Sequence, residues 1–182
     1  MNQLGDAFEN NGFTPDDITK LKQFGSLKGI QDILNGKACI HYPSHLINCD
    51  ITPIVTNKEW FVKQHNKDGL WKFNPKKVVL YLSEKQQKEG KVSGMELRAE
   101  LRDTYKHVLN DNVLDYLLEH QEIIPEDWRD KKILFWGTLY SSNNGFLSIY
   151  SMYWDGFLWH KKSKWVDWDR FFNASYFSIL AK

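Results

Sequence analysis

Cysteine, net charge and long apolar runs are all scarce in this sequence, and each shortage excludes a class of protein. Two cysteines among 182 residues are too few for a small secreted domain held together by disulfides. The formal net charge is +1, from 24 basic and 23 acidic residues, whereas a strong binder of duplex nucleic acid has a clear basic excess. No apolar run approaches the length that crosses a bilayer, so we expect no contact with a membrane.

A targeting signal is also missing from the first residues. Residues 1–11 are polar and acidic, whereas a secretory signal needs a basic start followed by an apolar stretch. We therefore expect a cytoplasmic protein.

Apolar and aromatic residues, in contrast, are abundant. Hydrophobic residues make up 42% of the chain and aromatic residues 15%, with eight Trp, eight Tyr and eleven Phe. A disordered chain is poor in such residues, because it cannot bury enough apolar surface to offset the conformational entropy lost on folding. A chain of this length can bury a core without metal or disulfide support, and it fits the size of one domain. We therefore predict one globular domain over 1–182.

The patterning predicts an α+β fold, with short helices early and midway and an antiparallel, aromatic-rich β meander in the C-terminal part. The expected segments are a frayed end at 1–13, a helical pair at 14–36, mixed helices and strands at 37–130, and the meander at 131–182. The helical pair begins at Thr14-Pro15, an N-cap hydroxyl followed by proline at the first helical position. Gly36 closes it.

Two further helix starts and four strands are predicted in the middle of the chain, the first of them a short strand from Ala38 to Tyr42. Ser93 to Glu96 is a capping box, and Asn110 or Asp111 caps the next helix. Glu59 to His65 and Leu70 to Phe73 are separated by turn residues, which predicts a hairpin. Val78 to Leu82 is the strongest strand of this half.

The C-terminal meander is predicted from three apolar runs separated by turn residues. The runs are Ile133–Tyr140, Phe146–Trp154 and Phe157–His160, and the turns are Asn143-Asn144-Gly145 and Asp155-Gly156. Asp-Gly between two such runs is a strong hairpin signal. The tail, Tyr176 to Leu180, is expected to add an edge strand.

A set of short strings spread over most of the chain forms a recognisable pattern. The strings are His45, Asn48-Cys49-Asp50, Trp60 to His65, Leu80 to Ser83, Gln86, Val108 to Asn110, Asn112 to Leu118, Ile124 to Trp128, Phe135 to Thr138, and Tyr153-Trp154. From Gly36 onward the sequence thereby resembles a family of short, uncharacterised bacterial proteins. That family has no established activity, so the resemblance implies an organisation of the chain and no chemistry. Its pattern has an acidic residue where Asn48 stands, so a carboxylate pair with Asp50 is not implied.

Potential metal ligands are concentrated in one segment. They are Cys39, His41, His45, Cys49 and Asp50, and zinc prefers thiolate and imidazole ligands. Structural zinc sites, however, present close pairs of cysteines, and Pro43 argues against the helix that would align His41 with His45. We therefore predict no metal and no cofactor, and interpret these residues as buried cysteines and hydrogen-bonded histidines. A metal site is the weaker alternative.

The best candidates for catalysis are His45, Asp50 and His65. A general base needs a histidine held by a carboxylate within hydrogen-bonding distance of a substrate, and these three could converge in the fold. Capping, turn and surface roles also explain each of them separately. The sequence therefore favours a protein that is not an enzyme, with a small His/Asp-dependent hydrolase or nuclease as the alternative.

Aromatic residues are densest in the meander, and this density is the most distinctive feature of the sequence. They occupy alternating positions and therefore face both sides of the predicted sheet. Burial of one face alone would need fewer aromatic residues. Either they form a buried cross-strand ladder, or they form an exposed platform that a partner covers.

We therefore hypothesise a non-catalytic binding protein that uses the aromatic sheet and the lysines after it. The predicted contact residues are Tyr150, Trp154, Trp159, Lys161, Lys162 and Lys164. A protein partner is the first choice, since Trp, Tyr and Phe are enriched in the cores of interfaces. Single-stranded nucleic acid, bound by base stacking and lysines, is the second. A homo-oligomer that buries the aromatic face against itself is the third.

Overall fold

The computed structural model describes residues 14–16, 19, 31–32, 35–37, 46–104, 107–167 and 169–182. The chain divides into two compact units, 1–42 and 43–182. The prediction of one domain over the whole chain stays a prediction.

Within 1–42 the structure describes the beginning and the end of the predicted helical pair. Pro15 and Thr19 are helical, and the Thr19 hydroxyl donates a hydrogen bond of 3.0 Å to the Pro15 carbonyl. At the other end, the N–H of Lys37 donates a hydrogen bond of 2.8 Å to the carbonyl of Asp32. Gly36 has a φ of 68°, the left-handed conformation that commonly closes a helix. The rest of this pair, the whole of 1–13 and the strand predicted from Ala38 to Tyr42 lie outside the described residues.

One six-stranded sheet and two small sheets make up the β-structure of 46–182 as described. In chain order the strands are β1 (Leu46–Asn48), β2 (Trp60–His65), β3 (Leu70–Lys72), β4 (Val78–Tyr81), β5 (Lys91–Ser93), β6 (Lys132–Ser142), β7 (Leu147–Trp154), β8 (Trp159–Trp165), β9 (Phe171–Asn173) and β10 (Tyr176–Ala181). The large sheet has the order β4-β10-β6-β7-β8, and β2 pairs with a further part of β6. The small sheets are β1-β3 and β5-β9.

Short helices precede the strands of the meander. The α-helices of 46–182 are α1 (Glu84–Glu89), α2 (Gly94–Thr104) and α3 (Asp111–Glu119), and 3₁₀ turns occur at Pro75–Lys77, Gln121–Ile123 and Glu126–Trp128. Both predicted helix starts are confirmed. The Ser93 hydroxyl accepts the Glu96 N–H at 3.3 Å while the Glu96 carboxylate accepts the Ser93 N–H at 3.1 Å, and Asn110 caps α3. No helix among the described residues is long and apolar enough to cross a membrane.

Each face of the large sheet is covered by one helix. Side chains alternate between the faces along a strand, so neighbouring residues join different clusters. On one face α3 packs on the sheet through Val113, Leu114, Leu117, Ile133, Phe135, Met152 and Ile179. On the other face α2 packs on it through Leu97, Leu101, Leu134, Trp136, Ile149 and Leu180. The α+β fold with an aromatic-rich, mostly antiparallel C-terminal sheet is confirmed. Phe135 and Trp136, neighbours on β6, are buried on opposite faces of this sheet.

The hairpin predicted for the strands before and after residues 66–69 is wrong. β2 pairs with β6, from Trp60 opposite Ser142 to His65 opposite Thr138, whereas β3 pairs with β1. The N–H of Asn66 donates a hydrogen bond of 2.7 Å to the carbonyl of Gly137, which continues the pairing of β2 with β6 beyond the end of β2. The turn residues therefore allow a hairpin, but the long strand β6 provides a different partner for β2.

The prediction of an edge strand at the C-terminus is also wrong. β10 lies between β4 and β6, antiparallel to the first and parallel to the second. Ile179 and Leu180 are buried on opposite faces, at 0% and 2% exposure. A strand that is apolar on both faces fits the interior of a sheet.

The third strand of the meander begins later and extends further than predicted. The Asp155 carboxylate accepts the N–H groups of Phe157 and Leu158, both at 2.8 Å, so the connection lasts four residues and β8 begins at Trp159. β8 then runs to Trp165. The lysines that were expected to follow the strand therefore lie on it.

Candidate functional site

A cleft of about 740 Å³ opens on the α3 side of the large sheet. Its floor is made by Tyr140, Ser148, Tyr150, Lys161 and Ser163 from β6, β7 and β8. One wall is made by Asn112, Asp115, Tyr116 and Glu119 of α3. The segment 46–57 supplies the other wall, and Trp60 of β2 completes the lining. Ligand sites in proteins commonly have this size.

Strand register explains which side chains form the floor. Tyr140 lies opposite Ser148, and Tyr150 lies opposite Ser163, and directly opposite residues share a face of the sheet. The two serine hydroxyls are 3.0 Å apart. Because serine side chains are small, they leave space above the sheet that the larger tyrosines border.

A charged centre lies at the base of the cleft, formed by Asp111, Asp115, Lys161, Tyr140 and Tyr150. Asp111 is fully buried and accepts a hydrogen bond of 2.6 Å from the Tyr140 hydroxyl. The Nζ of Lys161 is 3.4 Å from Oδ2 of Asp111 and 2.7 Å from Oδ1 of Asp115. The same ammonium lies 4.1 Å from the centre of the Tyr150 ring. Two carboxylates, one ammonium and two phenol rings therefore meet there.

Burial and charge shift the pKa values in the charged centre. Burial raises the pKa of Asp111 from 3.8 to about 6, although Lys161 acts in the opposite direction. Burial lowers the pKa of Lys161, but the negative charges of Asp111 and Asp115 outweigh it, so that this pKa lies above its ordinary value. Burial, with the nearby Asp111 carboxylate, also raises the pKa of Tyr140 above its ordinary value. The Tyr140 hydroxyl therefore keeps its proton and donates a hydrogen bond to Asp111.

The Asp111 carboxylate is incompletely satisfied. Its Oδ1 is buried and has no hydrogen-bond partner among the described residues, and such an oxygen costs free energy. Asp111 is the first residue of α3, where the helix dipole favours a negative charge. A buried carboxylate in contact with two floor residues therefore retains capacity to accept a further hydrogen bond.

The amide side chain of Asn112 holds the outer wall against α3. Its Nδ2 donates hydrogen bonds to the carbonyls of Asn48 at 2.7 Å and Ile51 at 2.9 Å. The following residues, 52–56, form no helix or strand. Ile51 and Ile54 are 61% and 92% exposed. The wall is thus fixed at one end and presents apolar surface to solvent.

Three aromatic side chains form a rim cluster beside the cleft: Trp60, Phe146 and Trp165. The Trp165 ring lies edge-on to both others, with 5.3 Å between ring centres in each pair. Phe146 and Trp165 are 48% and 42% exposed. Because Trp60 also lines the cleft, apolar surface continues from the cleft onto the outside of the protein.

His65, one of the three catalytic candidates, is engaged inside the protein through both ring nitrogens. Nε2 is 2.9 Å from the carbonyl of Cys49, which can only accept, so Nε2 carries a proton. Nδ1 is 2.9 Å from the Thr138 hydroxyl, which also accepts the Asp111 N–H at 3.0 Å. This network fixes the start of α3 and thereby the position of Asp111.

The other two catalytic candidates do not complete a pair with His65 in the described residues. Asp50 accepts a hydrogen bond of 2.8 Å from the N–H of Gly69, and no hydrogen bond joins it to His65 within the described ranges. His45 lies outside the described residues. The known contacts of Asp50 and His65 are those of a turn and of a buried network.

The candidate metal ligands lie mostly outside the described residues, since these omit Cys39, His41 and His45. Burial, followed by the negative charges of Asp68 and Asp50, raises the pKa of Cys49 to about 11. A thiol that stays protonated is a poor nucleophile and a poor metal ligand. In the part of the chain that the structure describes, no group of three or more His, Cys, Asp or Glu residues is placed to hold a metal ion.

The predicted aromatic contact residues have different environments. Tyr150 lines the cleft. Trp159 is 5% exposed and belongs to the core under α3. Trp154 is half-buried, with its ring edge-on to Trp159 and covered by the guanidinium of Arg129 at 4.6 Å.

The predicted lysine rim divides between the two faces of the sheet. Lys161 lies opposite Met152, whereas Lys162 lies opposite Ser151 and therefore points to the other face. Lys164 shares that face with Lys162, and its Nζ donates a hydrogen bond of 2.7 Å to the Tyr176 hydroxyl. Only Lys161 of these three lysines lines the cleft.

Sequence reasoning missed several residues of the site: Asp111, Asp115, Tyr140, Ser148 and Ser163. For the strand residues a signal was present, because strict alternation from Tyr150 places Ser148 on the same face. For Asp111 the sequence indicated only a helix cap. Its burial depends on β6 and β8 crossing beneath α3, which no local pattern reveals.

No protein-family model, curated protein or solved structure matches this chain. The resemblance to a bacterial family therefore stays a prediction.

Proposed function

We propose that this is a non-catalytic binding protein that takes a segment of a protein partner into the cleft over its aromatic sheet. The cleft itself carries the proposal. It measures about 740 Å³ and combines the largely apolar segment 46–57 with tyrosine rings and a few polar groups. Binding sites are typically concave and mostly apolar, with a small number of converging polar groups that fix the orientation of the ligand.

The surroundings of the cleft favour a partner larger than a small molecule. The rim cluster and Ile54 extend the apolar surface beyond the cleft, and Ile54 is 92% exposed. Exposed apolar patches of this kind mark sites of protein interaction, and Trp and Tyr are enriched in interface cores. A protein can cover this surface while one of its segments enters the cleft.

The charges of the cleft disfavour nucleic acid. Among its lining residues Asp115 and Glu119 are acidic and Lys161 is basic, and Lys161 is already paired with Asp115. Binding of single strands needs a positively charged groove that follows the phosphates.

The contacts of His65 favour binding over hydrolysis. Both of its ring nitrogens lie within hydrogen-bonding distance of other protein groups, so neither is available to act as a general base.

A large side chain in the floor of the cleft tests the proposal. We expect Ser163→Trp to fill the cleft and to reduce at least tenfold the amount of a specific partner captured from host lysate. Lys162→Trp is the matched control, because it adds the same side chain at the neighbouring position on the opposite face. We expect this variant to capture the partner as the wild type does, and thermal unfolding checks that both variants fold. Equal capture by both variants would place the contact elsewhere.

Salt separates a protein partner from nucleic acid in the same experiment. Affinity for nucleic acid falls steeply with salt, by about 10³ or more between 50 and 200 mM for several phosphate contacts. We expect capture to change little over this range and to resist nuclease treatment. Loss of the captured material under either condition would favour nucleic acid and contradict the proposal.

A further inference from the structure

We infer that the partner segment entering the cleft carries a lysine or arginine side chain, bound between the acidic wall of α3 and the tyrosine rings of the floor. This inference rests on the proposed function and adds the chemistry of the ligand.

The charged residues of the cleft favour a cationic ligand. Asp115 and Glu119 are one helical turn apart on α3, so they share a face of the helix, and both line the cleft. Buried Asp111 lies below them in contact with Lys161. Three carboxylates and one ammonium therefore lie in or directly below the cleft, and Lys161 contacts two of these carboxylates. Glu119 forms no ion pair among the described residues. An incoming positive charge reduces this imbalance, whereas a negative charge increases it.

Unsatisfied hydrogen-bonding capacity points in the same direction. Oδ1 of Asp111 is fully buried and unpaired among the described residues, although its carboxylate contacts Tyr140 and Lys161 in the floor. A cation that takes over the contact of Lys161 with Asp115 would let the Lys161 ammonium move closer to Asp111, which would reduce the cost of that unpaired oxygen. Ammonium and guanidinium groups are donors without acceptors, so they match a site in which acceptors are in excess.

The position of Lys161 shows how a cation fits the floor. Its ammonium lies 4.1 Å from the centre of the Tyr150 ring while it contacts Asp115 at 2.7 Å. Cations are attracted to the faces of aromatic rings, and Tyr116 and Tyr140 add two more rings to the lining. The apolar stem of a basic side chain can lie on apolar surface while its charged end reaches a polar group. Such a side chain therefore complements both the apolar wall and the acidic wall.

Blocked tripeptides that differ at one side chain test this chemistry. The probes are acetyl-Leu-Lys-Leu-amide, acetyl-Leu-norleucine-Leu-amide, acetyl-Leu-Glu-Leu-amide and n-pentylammonium. Each is titrated into isotope-labelled full-length protein while NMR follows the amide signals of Tyr116 and Ser163. We expect the lysine peptide to bind at least tenfold more tightly than the norleucine peptide, and the glutamate peptide to bind most weakly.

Two outcomes would overturn the inference. If the norleucine or glutamate peptide binds as tightly as the lysine peptide, the cleft does not select a cation. If n-pentylammonium binds as tightly as the lysine peptide, the cleft takes a free amine and not a side chain of a partner segment.

A single charge on the wall provides a second test. We expect Glu119→Gln to weaken binding of the lysine peptide about threefold, the scale of a partly exposed ion pair, and to leave the norleucine peptide unaffected. Glu122→Gln is the matched control, since Glu122 is exposed, lies three residues further along the chain and does not line the cleft. Equal effects of the two variants on the lysine peptide would count against the inference.

Failure of this inference differs from failure of the proposed function. If Ser163→Trp abolishes capture but the lysine and norleucine peptides bind equally, the cleft stays the docking site and the basic side chain is excluded. If the lysine peptide binds selectively but Ser163→Trp leaves capture unchanged, the captured partner uses another surface, which overturns both the proposed docking and the assignment of the cation to that partner.

Discussion

Among single residues, Asp111 combines three properties that rarely occur together in a carboxylate. It is fully buried, it is charged at neutral pH beside Lys161, and one of its oxygens lacks a partner among the described residues. Desolvation makes a buried charge costly unless pairing and hydrogen bonds compensate. Groups of this kind occur preferentially at functional sites, and this one lies at the base of a cleft.

The raised pKa of Asp111 predicts a specific dependence of stability on pH. The carboxylate ionises near pH 3.8 in the unfolded chain and near pH 6 in the folded protein, so folding takes up a proton between these values. Its contribution to the free energy of unfolding is therefore present below pH 3.8 and falls by about 3 kcal/mol as the pH rises to 6 and above. Urea unfolding of the wild type and of Asp111→Asn at pH 4 and pH 7 measures this difference.

Asp115→Asn is the control for this prediction, because Asp115 contacts the same ammonium but is half-exposed. The control is expected to keep the wild-type loss of stability over this range, whereas Asp111→Asn loses it. If wild type and Asp111→Asn change in parallel between pH 4 and pH 7, Asp111 is not the group that takes up the proton.

His65, a catalytic candidate in the sequence, lies in a buried polar network together with Asn110, the cap of α3. The Nδ2 of Asn110 donates hydrogen bonds to the carbonyls of Cys49 at 2.9 Å and Asn66 at 2.8 Å, next to the His65–Thr138 contact. Buried polar groups of this kind need partners, and these groups satisfy one another. Residue type alone does not distinguish such a network from a catalytic one.

At the scale of elements, β8 shows how the alternation of side chains along a strand determines which face of the sheet each one occupies. Trp159, Lys161, Ser163 and Trp165 share the face that carries the cleft. α3 covers the first of these positions but not the last, so that Trp159 is 5% and Trp165 is 42% exposed. Two tryptophans on one face of one strand therefore differ in role.

The two tryptophans provide a matched pair for mutation. We expect Trp159→Ala to cost about 3–5 kcal/mol in the free energy of unfolding, because it leaves a cavity in the core. Trp165→Ala is expected to cost about 1 kcal/mol or less, because much of that side chain is already in water. Denaturant unfolding measures both costs. Similar costs for the two variants would contradict the assignment of Trp159 to the core and Trp165 to the rim cluster.

Close approach of two backbones sets the position of α3. A Cβ atom on Gly137 would lie 2.6 Å from the carbonyl oxygen of Val108 and 2.7 Å from the nitrogen of Asn110, which is too close for any side chain. The N–H of Gly137 also donates a hydrogen bond of 2.9 Å to the Leu109 carbonyl. The chain entering α3 is therefore bound directly to β6, which places Asp111 beside Tyr140 and Lys161 of the cleft floor.

At the scale of the whole molecule, the cleft as described lies in the unit 43–182. Its described lining residues lie between Leu46 and Ser163, and the described members of both core clusters lie from Ile47 onward. This unit therefore contains the elements that build and support the site.

A shortened chain tests whether this unit is self-sufficient. We expect residues 43–182 alone to unfold in one cooperative transition, because the described members of both core clusters are retained and domains of fewer than about 150 residues usually unfold all or none. Tryptophan fluorescence and far-UV circular dichroism during urea unfolding measure this, with the full chain as reference. A broad transition, or midpoints that differ between the two probes, would show that the first unit is needed for the fold and would favour the prediction of one domain.

The sequence by itself determined the features that depend on residues close together along the chain. The sequence predicted the capping box at Ser93, the cap at Asn110, the strand at Val78 and the meander. Caps, turns and the alternation of a strand each depend on residues only a few positions apart. The α+β class followed from the order of these elements.

Only the tertiary structure decided which elements meet. Pairing of β2 with β6 and the interior position of β10 depend on contacts between distant segments, which local patterns do not encode. The site depends on them most strongly, since Asp111 and Lys161 lie in different elements and the wall 46–57 is held by Asn112 of α3. Burial of Asp111 and Trp159, and exposure of Trp165, follow from what α3 covers, so packing and not residue type fixed the environment of each side chain.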